Sequence, residues 1–215
     1  MQTHNKNRLG RGENNEYYFS YNQKSLTFPR NIFHSPKLRA TKALAKELPD
    51  ESFVLDAGCG AGYVSVGLAP RLNLIGVDIE KEAIQFCQKN RKGKFLQANL
   101  SKLPFQDNTF ELIIFTNTIE HLEYPEEVLK ELRRVLKPGG KLLVSTENCS
   151  SLLWVILENT WYRFFGGPCK PFLKEVHPQR YTPKSLENQL EKFFKIVSFK
   201  KAIFDMELLV VGEKI

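Results

Sequence analysis

Residues 54–62 read Val54-Leu55-Asp56-Ala57-Gly58-Cys59-Gly60-Ala61-Gly62, an apolar run that ends in three alternating glycines. The run is short and bounded by turn residues, as a strand buried on both faces would be. Glycines at its end let the backbone approach a ligand closely, and a helix opening on AGYVSVGLAPRL would present free N–H groups there. The spacing discriminates between ligands. A dinucleotide fingerprint places its third glycine at position 63, where this chain has Tyr63, and Gly62 falls one residue early. The GxGxG spacing with Asp56 ahead of it therefore disfavours a nicotinamide-dependent dehydrogenase.

On either side, apolar runs alternate with helical patterns. Before the strand, SPKLRATKALAKEL offers Ser35 as N-cap with Pro36 following, and Leu38, Ala43, Leu44 and Leu48 on one face. After it come NLIGVDI, EKEAIQFCQKN, KFLQANL, FELIIFTNT, PEEVLKELRRVL and KLLVSTEN, with Lys137-Pro138-Gly139-Gly140 as the stop and turn before the last. FKIVSFKKAIF and MELLVVGEKI end the chain, joined around Asp205 by a link too short for a parallel crossover. The fold class expected is α/β: a Rossmann-like, doubly wound, mostly parallel seven-stranded sheet with a C-terminal antiparallel hairpin. Residues 1–34 are expected to form an N-terminal arm or lid, and 35–215 the domain, with a cap insertion at about 149–181.

At 215 residues one such domain is the default. Hydrophobic residues at 42% and charged residues at 26% are ordinary globular values, which exclude a disordered or fibrous chain. The net charge of +7 concentrates in the N-terminal segment and between Arg163 and Lys201, and reads first as a solvated surface. Cys59, Cys87, Cys149 and Cys169 show no CxxC or zinc-like spacing, so reduced thiols in a cytoplasmic protein are expected. The N-terminus has no apolar h-region, and no run approaches the ~18 apolar residues of a membrane span.

About twenty residues beyond the glycines, the second strand ends in Gly76-Val77-Asp78. An acidic side chain there accepts both ribose hydroxyls in a nucleoside-binding α/β fold, which is the role expected of Asp78; the competing role is a cap for the helix starting near Glu80. Glu120 and His121 follow the fourth strand, at the sheet edge where ligands bind. An imidazole titrating near pH ~6.5 suits a general base, so His121 is the candidate catalytic residue, against a loop-ordering role. The run 149–181 carries Trp154, Trp161, Phe164 and Phe165 beside Arg163 and Lys170. It would either roof an acceptor pocket, the reading favoured here, or lie on a membrane surface as an interfacial helix.

From about Ser35 to Thr146 the chain resembles the class I S-adenosylmethionine-dependent methyltransferases, especially the small-molecule group that includes the quinone-ring methyltransferases. The resemblance rests on VLDAGCGAG, GVDI, LPFQDNTFELI, NTIEHLEYPEEVLKELRRVLKPGG and the strand after it; HPQRYTPKSLENQLEKF is similar to the segment before that group's last helix. It implies S-adenosyl-L-methionine as cofactor. Gly58, Cys59 and Gly60 would pass under its methionine part, with Asp56 near the amino group. Asp78 would hold the ribose, Ile79 would lie against the adenine, and Asn99 and Leu100 would meet the adenine edge. The group often has Asp at position 99; Asn keeps an acceptor oxygen but drops the charge. Thr116 and Asn117 would line the cofactor at the end of the fourth strand, and Arg39 would meet its carboxylate. Quinone-type relatives that bind a metal use Glu followed by Glu-His; Asn117 stands at the first position here, so no metal is expected. The implied reaction is methyl transfer to a small or lipid-linked acceptor, at oxygen, with peripheral membrane contact as an option and nucleic acid not expected, since no flipped-base motif follows the fourth strand. The alternatives are a non-catalytic cofactor-binding partner protein and a nucleic-acid methyltransferase.

Overall fold

A computed structural model describes residues 31–160 and 177–215. Seven strands form one sheet: β1 (Phe53–Ala57), β2 (Asn73–Asp78), β3 (Lys94–Gln97), β4 (Phe110–Thr116), β5 (Leu136–Glu147), β6 (Lys195–Ala202) and β7 (Glu207–Glu213), in the order β3-β2-β1-β4-β5-β7-β6. The first five pair in parallel, whereas β7 runs antiparallel to both β5 and β6. The helices are α1 (Asn31–Lys46), α2 (Lys81–Asn90), α3 (Pro125–Val135), α4 (Leu152–Asn159) and α5 (Pro183–Leu190). The doubly wound sheet and the terminal hairpin are those the sequence predicts.

Period-two alternation divides the core into two layers. Val54, Leu112 and Ile114 point to one face, where Ala45 of α1 and Ile84 and Cys87 of α2 cover them. Leu55, Ala57, Phe110, Ile113 and Phe115 point to the other, against Val128, Leu129, Leu132 and Val135 of α3 and Leu186 and Leu190 of α5. A strand covered on both faces has no polar alternation, which is why FELIIFT is nearly uniformly apolar. Proline at its first position opens α5, and a capping box joins the Thr182 side chain and backbone to Ser185.

Three local expectations are corrected. No helix follows the glycine loop: residues 61–72 form successive turns, because Gly62 and Gly67 take φ of +66° and +84°, which a right-handed helix cannot accommodate. Helix α1 already includes Asn31, so Ser35 lies inside it rather than capping it, and Pro36 is tolerated because its fixed φ is helical. Its buried face is Lys37, Thr41 and Ala45, while Ala43 is exposed. Finally, the Lys137–Gly140 turn is absorbed into β5 as an irregularity: pairing passes from Phe110 with Leu136 to Leu112 with Lys141, and the Gly139 N–H, at φ +73°, donates to Lys214 O at 2.8 Å.

Candidate functional site

The glycine loop hangs from the end of β2. Gly58 and Cys59 N–H both donate to Val77 O, at 2.8 and 3.0 Å, which turns the chain sharply after β1. Gly58 takes φ +74°, and a Cβ there would stand 2.5 Å from Thr118 Oγ1, so only glycine lets the loop pass beneath the segment after β4. Gly60, at φ +48°, has open space where its Cβ would project. Its N–H donates to Asp78 Oδ2 at 2.8 Å, and Glu80 N–H donates to Asp78 Oδ1 at 3.0 Å. Asp78 thus ties loop to strand. One bond to each oxygen leaves further lone pairs on a half-buried carboxylate. Beside it Ile79 leaves 54% of its surface exposed, an apolar platform next to a polar acceptor. Open space over the loop, a carboxylate with acceptor capacity and an exposed apolar neighbour fit a nucleoside. Asn99 is exposed, its Oδ1 accepting from Ser101 N–H and Oγ at 3.0 Å each, and Leu100 packs into the core.

Asp56 lies under the loop, buried, its Oδ2 accepting from Ser65 Oγ at 2.5 Å. Burial pushes its carboxyl up from 3.8 to about 7; the Ser65 bond opposes the rise and the charge of Asp78 adds to it. Cys59 is buried too, its thiol pushed well up, chiefly by the hydrogen bond with Cys87 and by burial. Arg39 is exposed on α1, two residues and therefore about half a helical turn from buried Lys37. The structure does not bring it into this set.

Asn117, at φ +48°, begins the turn after β4 and sits at the centre of a second, largely buried group. Its Oδ1 accepts from Lys37 Nζ and from Ser145 Oγ, the latter at 3.3 Å, and its Nδ2 donates to Glu120 Oε1 at 3.2 Å. Lys37 Nζ also pairs with Glu207 Oε1 at 3.2 Å. Burial raises the Glu207 carboxyl, Lys37 opposes that, and the charge of Glu120 adds to it. A cavity of about 10 Å³ opens beside this group, lined among others by Glu120, Thr146, Trp154, His177 and Tyr181. His121 is exposed at its edge; its ring meets that of His177 edge-on with centroids 4.7 Å apart, and His177 Nδ1 lies 3.4 Å from Glu147 Oε2.

Sequence reasoning singled out His177, Arg180 and Tyr181 as a polar set near the insertion, and all three line the cavity; it missed Lys37, Glu207 and Thr146. Lys37 carried one signal, its i, i+4, i+8 relation to Thr41 and Ala45; the others are named only by contacts across the fold. Of the 149–181 insertion, Trp154 faces inward at 6% exposure, while Leu152 and Ile156 on the same helix are exposed. Trp161, Arg163, Phe164, Phe165 and Lys170 lie outside the described residues. Among the described residues no group of three His, Cys, Asp or Glu could hold a metal ion, and no helix is long and apolar enough to cross a membrane.

Residues 55–144 match the methyltransferase domain family. An uncharacterized protein of Methanocaldococcus jannaschii is 43% identical over 101 residues, which span 46% of this chain and 43% of that protein. A demethylmenaquinone methyltransferase of Thermotoga maritima is 29% identical over 182 residues, 75% of this chain and 78% of that one. Among solved structures, an S-adenosylmethionine-dependent methyltransferase of Thermotoga maritima superposes with a TM-score of 0.69 at 22% identity, over 93% of this chain and 97% of its own. Glycine loop, acidic end of β2, strand order and these likenesses agree: the chain is similar, over residues 55–144 in sequence and over the whole sheet in fold, to class I S-adenosylmethionine-dependent methyltransferases.

Proposed function

We propose that the chain transfers a methyl group to the oxygen of a small or lipid-linked acceptor. The observation that carries the reading is the bond from Gly60 N–H to Asp78 Oδ2, which sets a glycine loop and a carboxylate side by side at the carboxyl edge of the sheet. When bound, S-adenosylmethionine supplies an activated methyl on a sulfonium, so the protein's task is alignment and, for a hydroxyl, proton removal. Asp78 accepts from the ribose hydroxyls, Ile79 lies against the adenine, and Asn99 and Leu100 bound its edge. Gly58, Cys59 and Gly60 pass beneath the methionine part, whose amino group Asp56 faces, and Thr116 and Asn117 bound it from β4. Arg39 reaches the carboxylate only with a change in α1, which its exposed position does not favour. The buried group after β4 meets the acceptor, and His121, held against His177, takes up the proton. The name of the Thermotoga maritima quinone relative supports a small, lipid-linked acceptor.

Calorimetry tests the cofactor half of this reading. S-adenosylmethionine is expected to bind and NAD not to; the reverse result would overturn it. Because Asp78 also anchors Gly60, Asp78→Ala alone would confuse loop damage with a lost ribose contact. Adenosine and 2′,3′-dideoxyadenosine separate the two. The wild type should prefer adenosine by about 1.5–3 kcal/mol, the range for hydrogen bonds to a charged group, and Asp78→Ala should lose that preference. An unchanged preference would return Asp78 to a purely structural role.

A further inference from the structure

Three residues that line the cavity beside Glu120 carry polar atoms for which the fold supplies no partner among the described residues. Glu120 and Tyr181 are 3% and 4% exposed and Thr146 1%, yet Glu120 Oε2, the Tyr181 hydroxyl and Thr146 Oγ1 have no hydrogen-bond partner among the described residues. Buried polar groups are nearly always satisfied, and leaving one unmade is costly, so three around one cavity require an explanation. They come from different places: Glu120 from the 3₁₀ turn Ile119–His121, Thr146 from β5, and Tyr181 from the segment bridged to Asn148. Glu120 is held in place by its other oxygen, which takes the Asn117 amide. Burial, and after it the charge of Glu120, push the Tyr181 phenol up.

We propose that Glu120 Oε2, the Tyr181 hydroxyl and Thr146 Oγ1 form a subsite that holds a hydroxyl of the methyl acceptor other than the oxygen that is methylated, which keeps its lone pair for the methyl and its proton for His121. This rests on the methyl-transfer reading and specifies its acceptor chemically. A cavity of about 10 Å³ has room for roughly one water-sized group. An ionised carboxylate only accepts, whereas tyrosine and threonine hydroxyls both donate and accept. A carbonyl could not donate to Glu120, and an ammonium could not accept from Tyr181 and Thr146. A hydroxyl does both. Trp154, inward-facing on the same cavity, supplies an apolar wall for the body that carries the hydroxyl. The subsite also stands next to the glycine loop, since Thr118, two residues before Glu120, covers Gly58.

The test uses phenol and toluene, which differ by the one hydroxyl, with the full chain and saturation-transfer NMR. Phenol should bind the wild type at least about tenfold more tightly than toluene, because a site built around a hydroxyl rejects the analogue that lacks it. Glu120→Gln, which swaps the free acceptor for a donor, and Tyr181→Phe should each reduce that preference to less than about threefold. Tyr181→Phe and Thr146→Val should leave the melting temperature unchanged or raised, since each removes an unsatisfied buried group. Equal binding of the two probes, no binding of either, or a preference that survives both substitutions would mean that the cavity holds only water and would overturn the proposal. So would a fall of several degrees on Tyr181→Phe, which would show its hydroxyl to be satisfied within the fold. Calorimetry with S-adenosylmethionine on the same samples keeps the two readings apart: its failure in the wild type removes the methyl-transfer reading whatever phenol does.

Discussion

Asp56 shows how much one side chain in this site costs the fold. It sits at the end of β1, buried, with the Ser65 hydroxyl on one oxygen, and its carboxyl is pushed from 3.8 to about 7. A carboxyl whose folded value is raised binds more protons in the native than in the unfolded state between those limits. Stability therefore falls as pH rises from about 4 through about 7 and levels off above that. Asp56→Asn keeps an acceptor for Ser65 and removes the titration. It is expected to flatten the dependence across that window and to stabilise the protein above pH 7 by about 2–4 kcal/mol, at ~1.36 kcal/mol for each tenfold change in proton affinity. Urea unfolding at pH 5 and pH 8 checks this, and parallel profiles for variant and wild type would show the aspartate to be neutral in effect. A residue retained against stability is what a binding role predicts, so the same variant should bind S-adenosylmethionine more weakly.

At the scale of elements, the glycine loop and the segment after β4 are one joint. Gly58 takes φ +74° and lies against Thr118, so Gly58→Ala meets two separate penalties: a left-handed backbone, about 1–2 kcal/mol, and a Cβ 2.5 Å from Thr118 Oγ1. Thr118→Ala removes only the second. The double variant should therefore recover part of the stability lost by Gly58→Ala, and full recovery or none would show that one penalty alone operates. The strands were legible in the sequence because complete burial writes itself as continuous apolar runs, and α3 because Val128, Leu129, Leu132 and Val135 repeat at helical spacing. The turns after Gly60 were not, since AGYVSVGLAPRL has a helical pattern that the backbone of Gly62 and Gly67 overrides. Asp78 was legible as an acceptor at the end of β2 but not as the anchor of Gly60, because that bond depends on how far the loop folds back.

At the scale of the whole molecule, the buried group around Asn117 joins parts of the chain that are far apart in sequence. Lys37 comes from α1, Asn117 and Glu120 from the turn after β4, Ser145 from β5 and Glu207 from β7. No local pattern announces such partners, which is why the sequence pointed to His121, on the exposed edge, and passed over Lys37 and Glu207. Breaking one side of a buried ion pair is expected to cost about 3–5 kcal/mol, so Lys37→Met and Glu207→Gln should each be strongly destabilising. The double variant should cost clearly less than the sum, a coupling that urea unfolding of all four proteins would measure; simple additivity would show that the two side chains do not depend on one another. The antiparallel placement of β7 between β5 and β6 carries this coupling into the way the protein is made. A ribosome delivers Lys37 early and Glu207 among the last residues described, so the first five strands emerge with the slot beside β5 still open. Until β7 slides into that slot, Lys37 has no carboxylate partner there. The growing chain can begin to assemble its glycine loop, but it completes the buried group around Lys37 only when synthesis has delivered β7.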